Sequence, residues 1–175
     1  SNGNSTLIED KDTSVIIDAG KSVKEIELRL GRLGKSLENL DGVVLTHSHI
    51  DHCRSVGAIA RKYRVPLFVN KKVFEECGPK LGKVNSQFFS YSSRFKIGSL
   101  ELKPIITSHD VTSSGFVVGK FGLFTDTGIV TKQMQDAIGK LKGILLESNH
   151  DVDMLINGPY PHFLKNRIFS DTGHL

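Results

Sequence analysis

The run His47-Ser48-His49-Ile50-Asp51-His52 stands directly behind the apolar segment Val43-Val44-Leu45-Thr46. No other feature constrains the fold of this chain as strongly. A short aliphatic run of this kind reads as a buried strand, and a strand exit can hold a cluster of side chains rigidly while leaving its upper face open to substrate. Imidazole nitrogens with a carboxylate oxygen suit zinc, manganese or iron better than calcium or magnesium, which take mostly oxygen. A solvated polar loop is the plain alternative. The His-x-His-x-Asp-His spacing weighs against it.

The rest of the chain supplies elements around that strand. Val15-Ile16-Ile17-Asp18 reads as a second buried strand, ended by Ala19-Gly20. Ser22-Val23-Lys24-Glu25 has the pattern of a capping box, followed by Val23, Ile26, Leu30 and Leu33 at helical spacing and Gly34 at the stop. A helix carrying Val56, Ile59, Ala60 and Tyr63 on one face follows the His-rich loop, and Leu67-Phe68-Val69 is a further strand behind Pro66. Glycines and polar residues between Lys71 and Ser93 suggest a loop over the site. Phe95-Lys96-Ile97 and Leu100-Glu101-Leu102 flank Gly98-Ser99, and Phe116-Val117-Val118 and Leu123-Phe124-Thr125 flank a Gly119 to Gly122 turn. Met134, Ala137, Ile138 and Leu141 mark a helix, and Gly143 to Glu147 a buried strand. Strands alternate with helices in some stretches and form hairpins in others, which indicates a layered α/β architecture.

At 175 residues the chain is expected to form a single domain over 1–175. It has no run of the roughly 18 to 20 apolar residues that a membrane span requires, so no membrane partner is expected. Cys53 and Cys77 are too few for a disulfide framework, and a reducing cytoplasm is the expected setting. Cys53 follows the histidines and could act as a soft ligand, but a small buried side chain is the favoured reading. The formal charge of +4, from 23 basic and 19 acidic residues, is a mild excess that would assist an anionic substrate without proving one.

More ligand types stand at the ends of expected strands. His109 follows Ile105-Ile106-Thr107-Ser108, Asp126 ends Leu123-Phe124-Thr125 ahead of a Thr127-Gly128 turn, and His174 lies in Asp171-Thr172-Gly173-His174-Leu175. Each alone reads as a satisfied surface group; together with the first motif they read as a metal site.

Taken in order, Asp18, the His47 to His52 run, His109, Asp126 and His174 resemble the successive motifs of the metallo-β-lactamase superfamily. Gly3-Asn4-Ser5-Thr6, Glu147-Ser148-Asn149-His150-Asp151, Tyr160-Pro161 and Ser170 to Leu175 resemble, more narrowly, its YycJ/WalJ-like branch of bacterial cytoplasmic hydrolases. The resemblance implies a four-layer αββα sandwich, trimmed at both ends in this chain, with His174 weakly anchored near a terminus. It implies two divalent ions, zinc or manganese, with iron as a third choice. His47, His49 and His109 would hold one ion, and Asp51, His52 and His174 the other. Asp126 would bridge them, and Asp18 would brace the loop from behind.

The function implied is hydrolysis by a metal-bound hydroxide, with DNA as the expected substrate and 5′ to 3′ exonuclease as the expected activity. Asp51 and Asp126 are the expected catalytic carboxylates and His150 the candidate proton donor, a structural histidine being its equal alternative. Arg54, Lys165 and Arg167 are candidate phosphate contacts, with a solvated basic face as the alternative for each. Two other functions stay open at this point: a thioesterase or lactonase of the glyoxalase II type, and a member that binds nucleic acid without turnover. Fold alone does not choose among them, and oligomeric state is not legible.

Overall fold

Strand β3 (Gly42–Leu45) is buried along its whole length, with Val43, Val44 and Leu45 all inaccessible to solvent. An uninterrupted aliphatic run is what a central parallel strand requires, because neither of its faces meets water. In a computed structural model, which describes residues 2–175, this strand lies at the middle of a five-stranded sheet. The chain divides into two compact units, one ending at Leu102 and one starting at Lys103.

The first unit opens with a hairpin of β1 (Thr6–Asp10) and β2 (Thr13–Ile17), turning at Lys11 with φ 50°. The parallel strands β3, β4 (Leu67–Asn70) and β5 (Ser86–Phe89) then extend the sheet in the order β1-β2-β3-β4-β5. Helices α1 (Val23–Arg32), α2 (Ile50–Cys53), α3 (Val56–Lys62) and α4 (Lys71–Cys77) lie in the connections. Ile26 and Leu30 of α1, Val56 and Ile59 of α3, and Val73 of α4 share one core with Ile16, Val43, Leu45, Leu67 and Val69. Ser22 caps α1 as expected, its Oγ accepting from Glu25 N at 3.3 Å, but Glu25 turns forward to Arg29 (2.6 Å) and so forms only half of a capping box. Strand β6 (Phe95–Ile97) pairs with the start of β7 (Leu100–Ile106) around Gly98 at φ 53°.

The second unit takes up β7 and carries β8 (Ser114–Val118), β9 (Phe121–Phe124) and β10 (Gly143–Leu146) in the order β10-β9-β8-β7. β8 and β9 are antiparallel, joined at Gly119 with φ 58°, and β9 and β10 are parallel, linked through α5 (Lys132–Ile138). Ile105, Phe124 and Met134 form one buried cluster in it, and Phe116 and Leu123 are also inaccessible to solvent. Helices α6 (Val152–Asn157) and α7 (His162–Phe169) follow.

Two expectations are corrected. The segment from Lys71 to Ser93 is not a loop: it folds into α4, a 3₁₀ turn at Gly78–Lys80 and β5. Strand β10 is not buried but lies at the sheet edge, with Ile144 41% and Leu145 43% exposed.

Candidate metal centre

The first unit's part of the site is built on Asp18, which sits just past β2 in the left-handed region (φ 61°) and is 1% exposed. An aspartate tolerates this conformation better than most residues. Here it turns the carboxylate back beneath the exit of β3. Thr46 donates to it from its backbone N (2.9 Å) and its hydroxyl (2.8 Å to Oδ2), and His52 Nδ1 lies 2.7 Å from Oδ2. The hydroxyl has one hydrogen and spends it on the carboxylate, so Thr46 Oγ1 accepts from His47 Nδ1 at 2.9 Å. One buried carboxylate therefore sets two rings as Nδ1–H tautomers, His52 directly and His47 through Thr46, and places the lone pair of each ring on Nε2.

His47 and His52 are fully buried, with ring centroids 4.0 Å apart, and His49 meets His47 edge-on at 4.9 Å. Asp51, in the first turn of α2, has Oδ2 3.8 Å from His52 Nε2. The amino-terminal strand seals this loop. Asn4 N donates to Asp51 O (2.7 Å), Gly20 N donates to Asn4 O (2.8 Å), and the Asn4 carboxamide reaches His52 Nε2 at 2.8 Å. A Cβ at Gly20 would stand 1.6 Å from the Asp51 carbonyl oxygen, so the approach requires glycine there.

The second unit's part uses the same device. His109 Nδ1 donates to the Gly173 carbonyl at 3.2 Å, which turns Nε2 toward Asp126 Oδ2 (3.4 Å) and Asp110 Oδ1 (3.5 Å). An imidazole nitrogen and two carboxylates grouped in this way are donors that could share a cation. Glu147, at the end of β10, accepts from Thr127 N through one oxygen and from His174 Nδ1 (2.9 Å) through the other. That hydrogen bond to Glu147 holds the His174 imidazole above its ordinary pKa. Ligand atoms of Asp126, Glu147 and His174 all lie within 4.8 Å of one another. The Thr127-Gly128 turn lies close against protein backbone: a Cβ at Gly128 would lie 2.5 Å from the Asp171 carbonyl.

The expectation that His174 is weakly anchored is corrected. Its backbone N donates to Ile168 O at 3.0 Å, its ring is tied to Glu147, and Leu175 O accepts from Asn149 N at 2.7 Å. His47, His49, Asp51, His52 and Asp18 are thus gathered in one unit, and His109, Asp126 and His174 in the other.

The outlying candidates are placed differently. Arg54 lines a cleft of about 230 Å³ with Gly3, Gly20, Ile50 and Asp51. Arg167 is engaged with Asp110 through Nε (2.9 Å) and a terminal nitrogen (2.6 Å), and Lys165 Nζ donates to Ile156 O at 2.6 Å. The His150 ring meets Phe169 edge-on at 5.4 Å, and its Nδ1 is buried without a hydrogen-bond partner among the described residues. Cys53 is the small buried side chain favoured from the sequence; its thiol donates to Ser48 O at 3.3 Å.

Sequence reasoning missed Asn4, Thr46 and Glu147 as parts of the site. Glu147 stands at a strand end within a motif that was quoted, and its carboxylate beside the histidines was the available signal. Asn4 lies within the Gly3-Asn4-Ser5-Thr6 motif, where its residue type gives no hint of a contact with His52, and Thr46 carries no signal beyond adjacency to the His-rich run.

Known proteins resemble this chain at two levels. The Metallo-beta-lactamase superfamily profile matches residues 1–133. Exodeoxyribonuclease WalJ of Streptococcus pneumoniae serotype 2 (strain D39) is 37% identical over 185 residues, covering 100% of this chain and 69% of the relative. Exodeoxyribonuclease YycJ of Bacillus anthracis is 32% identical over 183 residues, with the same coverage of 100% and 69%. Among solved structures, Zn(2+)-bound PqqB from Methylobacterium extorquens superposes with a TM-score of 0.73 at 14% identity, over 86% of this chain and 62% of that one. That likeness carries the fold: two sheets with helices, as the motifs implied. The chain belongs to the metallo-β-lactamase superfamily, in its WalJ/YycJ branch.

Proposed function

We propose that this chain is a dinuclear, metal-dependent phosphodiesterase that shortens DNA from an end, 5′ to 3′, as a single-domain enzyme of the cytoplasm. The observation that carries the metal assignment is the shared tethering of four rings. His47, His52, His109 and His174 each have Nδ1 bound to an oxygen acceptor, which assigns Nε2 to ligation. Imidazole and carboxylate donors of this kind fit zinc, manganese or iron. DNA as substrate is supported by the two exodeoxyribonucleases that match the whole chain. Two free, buried cysteines, Cys53 and Cys77, fit the expected reducing compartment.

In this reading His47, His49 and His109 would hold one ion and Asp51, His52 and His174 the other, with Asp126 a ligand available to both. The ions, when bound, would polarise a phosphoryl oxygen and lower the pKa of bound water. The chain's own groups do the rest. Asp51 orients the attacking water through its second oxygen. Arg54, beside Asp51, receives a nonbridging phosphate oxygen in its cleft. Lys165 and Arg167 add positive potential, the latter less because Asp110 already pairs with it. His150 is the proposed proton donor to the leaving oxygen. Asp18 keeps the rings in their ligating tautomer without touching substrate.

Purified protein supplied with Mn²⁺ or Zn²⁺ is expected to degrade linear DNA. Asp126→Ala and Asp51→Ala should lower the rate by about a thousandfold or more while circular dichroism stays unchanged. DNA binding should weaken as salt rises, because phosphate contacts release counterions. Efficient hydrolysis of S-acyl thioesters or lactones, with DNA of every end structure untouched, would replace this assignment with a glyoxalase-like one.

A further inference from the structure

We propose that the Asn4 carboxamide is a gate on the His52 ligand position: it caps the His52 Nε2 lone pair and must swing away before that ring can take an ion. The inference rests on the metal-centre reading above and concerns how the second ion enters.

The geometry follows from proton bookkeeping in the first unit. Asp18 is a carboxylate acceptor 2.7 Å from His52 Nδ1, so Nδ1 carries the hydrogen and a neutral ring offers its lone pair at Nε2. Only a donor can meet that lone pair, which assigns the Asn4 amide NH₂, 2.8 Å away, to the contact. A hydrogen-bond donor and a metal ion approach an imidazole nitrogen along the same lone-pair direction, so the two are mutually exclusive. Asp51 Oδ2, the other ligand assigned to this position, is 3.8 Å from the same nitrogen. The amide therefore stands where these two side chains would share an ion. His47 is arranged differently, because its fixing bond is on Nδ1 through Thr46. The gate acts on one ion position and not on the other.

Asn4 is placed for this by backbone. Its N–H is fixed to Asp51 O and its carbonyl to Gly20 N. Gly3 lies at φ 97°, with space for no Cβ against the Gly20 carbonyl. The main chain is thus held by two backbone hydrogen bonds, so that any opening falls to the side chain. Opening it exchanges one hydrogen bond for a coordinate bond, and a single buried hydrogen bond corresponds to roughly tenfold in an equilibrium. The consequence is unequal loading: the ion on His47 and His49 binds first, and the ion on His52 binds later and more weakly.

The test uses the 175-residue chain, stripped of metal and titrated with Zn²⁺, read by calorimetry and by ¹⁵N NMR of the histidine rings. In the unmodified protein the His52 Nε2 signal is expected to be that of a hydrogen-bonded acceptor before zinc. It should move only with the second equivalent, together with the Asn4 side-chain amide. Asn4→Ala keeps both backbone bonds and should bind the second equivalent about tenfold more tightly, the first unchanged. Equal second-ion affinity in the two proteins overturns the gate and leaves the metal centre standing, as does a weaker second ion in Asn4→Ala. So does a His52 shift on zinc addition that leaves the Asn4 amide in place, a result readable in the unmodified protein alone. If neither protein binds zinc at the histidines, the metal-centre reading itself fails and the gate with it.

Discussion

Asp18 shows how a single residue can carry more of a site than its contact with chemistry suggests. Its carboxylate sets the tautomers of two rings, and an amide cannot. In Asp18→Asn the backbone keeps its left-handed φ at little cost, but whichever way the amide turns, its NH₂ can no longer accept from at least one of the donors Thr46 N, Thr46 Oγ1 and His52 Nδ1. Zinc affinity is expected to fall about 10- to 100-fold with the fold retained, measured by competition against a chelator. Glu147 gives a second prediction, made for the metal-free protein. His174 has its pKa raised above the 6.5 of an unperturbed ring, first by the hydrogen bond it donates to Glu147. A raised folded pKa means that the contact's stability is fully present below about pH 6.5 and fades as pH climbs through the higher folded value. Glu147→Gln should lower the His174 midpoint in an NMR titration and flatten the decline in urea stability across that window. At this scale the sequence exposes ligand types well, because histidine and aspartate advertise their chemistry. It hides the groups that orient them: Thr46 and Asn4 are ordinary residues until the chain folds against Asp18 and His52.

Among the elements, the close crossing of the amino-terminal strand over Gly20 is the most sensitive feature. A methyl at position 20 would overlap the Asp51 carbonyl oxygen at 1.6 Å, with backbone on both sides and no flexible side chain to yield. Gly20→Ala is expected to cost about 3 kcal/mol in chemical denaturation, the upper range for overpacking, and to displace Asp51. Strands and helices with strong periodicity were readable: β2, β3, α1, α3 and α5 stand where aliphatic runs and capping residues put them. The Lys71 to Ser93 stretch was not, because α4 spans only Lys71–Cys77 and β5 shows Ser86 and Gln87 to solvent. Short elements held by tertiary packing carry little local signal. Strand β10 misled for the opposite reason. Its Ile144 and Leu145 are apolar enough to suggest burial, yet an edge position leaves them partly exposed.

At the level of the whole chain, metal binding and stability are coupled, since the unfolded chain has no organised ligand set. Zinc at 100 times its dissociation constant should stabilise the protein by about 2.7 kcal/mol. That corresponds to a rise of roughly 5 to 10 °C in Tm for a chain of this size, and EDTA should reverse it in differential scanning fluorimetry. The motif order along the sequence was enough to name the superfamily and its two-sheet fold. It was not enough to show that the chain resolves into one unit holding the His47 to His52 loop and another holding His109, Asp126 and His174. That division depends on how strands pair, which no local pattern reports.

The dependence of two imidazoles on one carboxylate also has a genetic consequence. In a screen for inactive alleles, a change at codon 18 is expected to weaken the roles of both His47 and His52 together, because Asp18 is bonded to His52 directly and to His47 through Thr46. Such an allele would resist rescue by a single second-site change, because a substitute donor or acceptor would have to restore both rings at once.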